Sequence, residues 1–81
     1  MKTYEVTLAL HFPEVLAMQY AMERTLEDVQ IAAANEERRA DQYKAHGLTD
    51  DEAYHRHQMA RYEERAVKIR AALAALAEHT A

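Results

Sequence analysis

Cysteine is absent, which excludes disulfides and thiolate metal sites, two devices by which small folds compensate for a thin core. Serine is absent too, so the hydroxyl nucleophiles reduce to Thr3, Thr7, Thr25, Thr49 and Thr80, and none has a base placed by spacing to activate it. A single glycine, Gly47, excludes a Gly-rich loop that cradles phosphate. No cofactor signature is present, and enzymatic activity is not expected.

Positive charge is never concentrated. The formal net charge is -4, and each stretch of the chain mixes both signs, whereas duplex nucleic acid requires a basic face that releases counterions. Direct nucleic-acid binding is therefore not expected. Long apolar runs are missing as well. The first residues carry Glu5 and Glu14 among threonines, so neither a signal peptide nor a membrane span is expected, and the default location is cytoplasmic.

The 81 residues are read as one domain. From Lys2 to Phe12 the chain alternates: Tyr4, Val6, Leu8, Leu10 and Phe12 face one way, with Thr3, Glu5, Thr7, Ala9 and His11 opposite. That pattern predicts a β-strand over residues 1–12 with one apolar face. The four-residue spacing of Tyr4, Leu8 and Phe12 leaves a helical alternative, disfavoured by β-branched Thr3, Val6 and Thr7 and by Pro13.

Pro13 suits a first helical position, and residues 13–46 are rich in helix formers. Val15, Met18, Met22, Leu26, Val29 and Ala33 make an apolar stripe there. Asn35, followed by Glu36 and Glu37, could cap a new helix, so a kink at 35 is an option. Residues 47–49 form the turn. Gly47 fits the left-handed C′ position, Leu48 covers Tyr43 in a Schellman arrangement, and Thr49 with Glu52 makes a T-x-x-E capping box. A second helix over residues 50–79 carries Met59, Tyr62, Ala66, Ile69, Leu73 and Leu76 on its stripe. So short a turn returns the second helix antiparallel, with Leu26 near Ile69, Met22 near Leu73 and Ala33 near Tyr62.

The predicted fold is thus mainly α: an N-terminal strand, then a long antiparallel two-helix hairpin. Helices of about 30 residues, near 45–50 Å long, carry more stripe than one hairpin covers. A lone strand also leaves both edges unpaired. A homodimer with a four-helix layer is the expected remedy, with Tyr4, Val6, Leu8, Leu10 and Phe12 at the pairing strand; strand addition to another protein is the alternative.

The turn-proximal half, from Asn35 to Ala60, loses aliphatics to tyrosine, arginine and histidine. Arg38, Arg39, Tyr43, Tyr54, His55 and Arg56 are candidate partner-binding residues, since tyrosine and arginine often anchor interfaces. The alternative is a solvated hairpin tip with ordinary i, i+4 pairs such as Glu52 with Arg56 and Glu64 with Lys68. Glu52 and His55 also form E-x-x-H, which resembles, in architecture only, one element of ferritin-like di-metal sites; Glu36 and Glu37 are the nearest facing carboxylates by counting. His55 and His57 point about 200° apart and cannot share a metal, while Asp51 and His55 share a face as a surface pair. His11, His46 and His79 stand at element ends.

The functional expectation is a non-catalytic protein–protein interaction module, an adaptor, assembly or regulatory protein acting as a homodimer. Two alternatives remain: a small acidic inhibitor of the kind mobile elements encode, acting on a host nucleic-acid-handling protein, and a ferritin-like di-metal dimer.

Overall fold

The structure is a computed structural model that describes residues Phe12–Thr80, with side-chain environments over 13–78. It consists of two antiparallel helices, α1 (Phe12–Ala45) and α2 (Thr49–Thr80), packed along their whole length. The expected strand and its pairing residues Tyr4, Val6, Leu8 and Leu10 lie outside the described residues. Phe12, the last residue of that expected strand, is instead the first residue of α1. Pro13 follows it within the first turn, where a missing N–H removes no helical hydrogen bond.

The hairpin measures 56 × 22 × 14 Å, one helix thick and two wide. Its radius of gyration is 17.8 Å, where a compact chain of this size would have about 11–12 Å. No third layer covers either broad side among the described residues.

What holds the helices together is a seam with a strict seven-residue repeat. In α1, Val15, Met22, Val29, Glu36 and Tyr43 recur every seventh residue, with Gln19, Leu26, Ala33 and Ala40 between them, and all are buried or half-buried. In α2 the same spacing runs through Glu52, Met59, Ala66 and Leu73, interleaved with His55, Tyr62, Ile69 and Leu76. Alternating steps of three and four keep a seam facing its partner over many turns, as in a coiled coil. The α2 stripe read from the sequence is this seam. The α1 stripe needs one correction: Met18 is 45 % exposed and Gln19 is half-buried in its place. Val15 to Met22 spans one heptad, and the step of four that keeps the seam in register falls on Gln19, whatever the hydrophobicity of its neighbour.

The turn closes as its residues dictate. Gly47 has φ 71°, the Leu48 N–H donates to the Tyr43 carbonyl at 2.9 Å, and the Gly47 N–H donates to the Lys44 carbonyl at 3.0 Å. These two bonds are the Schellman pair, and they satisfy carbonyls that the end of α1 would leave unpaired. The start of α2 differs from the expected capping box. The Leu48 carbonyl already accepts from the Glu52 N–H at 3.0 Å, so Leu48 holds the cap position and Thr49 lies inside the helix. Glu52 turns its carboxylate to Arg56 instead. α1 runs as one helix through Asn35, which accepts a hydrogen bond from Arg38 one turn later.

Candidate functional site

The seam changes chemistry halfway along. Towards the open end it holds Val15, Met22, Leu26 and Val29 against Ile69, Leu73 and Leu76; nearer the turn the same positions hold Glu36, Ala40 and Tyr43 against Glu52, His55 and Met59. Burying a carboxylate costs several kcal/mol unless it is paired. Glu36, buried at 9 % exposure, is paired twice. His55 Nδ1 lies 2.5 Å from Glu36 Oε2, and Arg39 donates to Glu36 Oε1 at 3.1 Å.

His55 is held on its other faces by rings. It stacks on Tyr43 with centroids 5.2 Å apart and planes within 6°, and Tyr54 meets it edge-on at 5.1 Å. Because the imidazole touches both Glu36 and Tyr43, one heptad apart on α1, it spans the intervening Ala40, which is fully buried.

A cross-helix cation closes the cluster on the turn side. Arg56 donates from Nε to Glu52 at 2.8 Å and from Nη2 to Asp41 at 3.1 Å. The bond to Glu52, then the bond to Asp41, hold its guanidinium further above its ordinary value, so it remains a cation throughout the accessible pH range.

All six candidate partner-binding residues therefore make contacts within the chain. Tyr43 and His55 stack in the seam, and Arg39 pairs with Glu36. Arg56 ties Glu52 to Asp41, and Arg38 bonds Asn35. Tyr54 touches His55 by its edge yet is 58 % exposed, and Arg38 and Arg39 lie on the surface. Glu36 as the carboxylate facing His55 was reachable by counting from the turn. The Asp41–Arg56 bridge was not, because its partners flank the seam on different helices and no periodicity links them.

The E-x-x-H pair does not grow into a ligand set. Glu52 is taken by Arg56, Glu36 bonds His55 directly, and among the described residues no three His, Cys, Asp or Glu side chains converge. The hollows on the surface are open troughs beside the seam. One is lined by Gln30, Ala34, Glu37, Glu63, Val67 and Arg70 over Ala33, Met59 and Ala66. Another, almost wholly apolar, is formed by Ala21, Met22, Thr25, Ile69 and Ala72 with Arg65 and Lys68 at its rim. No helix among the described residues is long and apolar enough to cross a membrane. No family model matches the chain, and neither does any curated protein or solved structure.

Proposed function

We propose that this chain is a non-catalytic protein–protein interaction module that works as a homodimer, in an adaptor, assembly or regulatory role. The observation that carries the reading is the incomplete cover at the open end of the hairpin. Leu16 and Tyr20 are exposed on one side of the seam and Met18 on the other, and Leu73 and Leu76, in the seam at that end, are only half-buried. Apolar surface gains about 25 cal/mol per Å² when removed from water, and among the described residues the hairpin, 14 Å thick, has no second layer to do this. A second copy packed over the same end supplies that layer, and twofold closure leaves no further surface to propagate. The scarcity of hydroxyl nucleophiles and the openness of the troughs also favour binding over catalysis.

Sedimentation equilibrium tests the reading. A species of twice the 9.3 kDa chain mass is expected, and replacing Leu16, Met18 and Tyr20 together by lysine should shift it to one chain mass with helicity retained. A wild-type protein that stays at single-chain mass at every concentration would remove the homodimer.

A further inference from the structure

The two broad sides of the hairpin differ in sign. Seam neighbours on one side include Glu37 and Glu63, with Arg70 the cation of that trough. On the other side, Arg61, Arg65 and Lys68 stand together, and the last two form the rim of the apolar trough over Met22 and Ile69. Arg65 and Arg70 flank Ala66 and Ile69 from outside, so the two troughs lie on opposite sides of the seam.

Along α2 the basic side continues by steps of three and four: Tyr54, Gln58, Arg61, Arg65, Lys68 and Ala72 form one stripe. It begins at the exposed ring of Tyr54 and ends at the apolar trough, about 27 Å away at 1.5 Å per residue. Glu64, at the outer edge, pairs weakly with Lys68 at 3.5 Å, with both side chains largely exposed. Asp28 precedes Val29 as Ala21 precedes Met22, and is the acid that α1 places beside the trough on this side.

We propose that this stripe is the docking surface for an acidic amphipathic helix of a partner protein. The proposal deepens the binding role proposed above and supplies the partner's chemistry. The helix lies along α2, seats one large apolar side chain in the trough between Arg65 and Lys68, and sets its carboxylates against Arg61, Arg65 and Lys68. Helix-in-groove recognition combines an apolar anchor with flanking charge in this way. Three cations are too few to hold a nucleic-acid backbone against a chain of net charge -4, and an apolar trough has no use for phosphate.

The test uses the full chain and two synthetic helical peptides of about 18 residues, the length of the stripe. Both carry leucine at every third and fourth position; one has glutamate flanking it, the other lysine. Fluorescence anisotropy should show the glutamate peptide binding, with affinity falling as salt rises, and the lysine peptide at least about tenfold weaker. Arg65→Gln with Lys68→Gln should cost about tenfold, and Ala72→Gln, which fills the trough, should cost as much with helicity and thermal midpoint unchanged. Glu37→Gln with Glu63→Gln on the opposite side should leave binding intact. Equal binding of both peptides, or indifference to the Arg65 and Lys68 changes, overturns the proposal. So does conversion of a dimer to single chains by those changes, because the occupant is then a second copy. A single-chain wild type that still selects the glutamate peptide would instead defeat the homodimer and leave this docking surface standing.

Discussion

The two halves of the hairpin share one geometry and differ in what fills it. Near the open end, the seam is aliphatic, with Val15 and Val29 buried and Leu26, Ile69 and Leu73 around them. Near the turn, identical spacing carries Glu36 and Tyr43, each in contact with His55. Spacing alone therefore selects which residues face the other helix, and their chemistry decides what that facing costs. An aliphatic layer gains by burial without regard to direction, whereas a carboxylate and an imidazole must meet at defined atoms or lose their hydration uncompensated. The polar layer thus ties one register of α1 on α2 to a hydrogen bond at 2.5 Å, a constraint that sliding aliphatic side chains do not impose.

The contrast can be broken most severely at the aliphatic half. Val29→Asp places a carboxylate in the seam with no designed partner and should cost about 3–5 kcal/mol, enough to abolish a cooperative thermal transition in so small a fold. A melting curve close to wild type would mean that this half is not what holds the hairpin closed. At the polar half, His55→Leu removes one partner of Glu36, leaves Arg39 as the other, and should cost about 1–3 kcal/mol in denaturant unfolding. Glu36→Leu combined with His55→Leu should recover that loss or exceed wild-type stability, since replacing both members of a buried pair by apolar residues is often neutral or favourable. Equal losses in the single and double variants would deny that the two residues are coupled.

Between the halves and the turn the expected effects shrink. Gly47→Ala should cost about 1–2 kcal/mol by calorimetry, all of it from the left-handed backbone, because an added Cβ meets nothing within 4 Å. Glu64→Gln removes an exposed pair with Lys68 and should move stability by less than about 0.5 kcal/mol. A larger change would show that the outer surface of α2 is not simply solvated.

Much of this architecture was legible in the residues. Gly47 and Leu48 identify the turn because their N–H groups satisfy carbonyls at the end of α1, and the α2 stripe from Met59 to Leu76 follows from the spacing of its large apolar side chains. Met18 is as apolar as the seam residues yet lies off the seam, because the strict repeat passes through Gln19. Thr49 and Glu52 match a capping box in sequence, yet Arg56, one turn further on, offers Glu52 a charged partner. Tyr43, His55 and Arg56 could be recognised as unusual by type, but whether they face outward or toward one another depends on the seam register.

By itself, the sequence determined that two long helices form and where they reverse, since helix propensity, the left-handed glycine and the short turn act over neighbouring residues. Only the tertiary structure decided that Glu36 meets His55 and that Arg56 bridges to Asp41. It also decided that Arg65 and Lys68 border an apolar trough shared by both helices. The reason is rotational: a shift of one residue turns a helix by about 100°, so what lies opposite depends on how the two seams engage, which neither helix specifies alone.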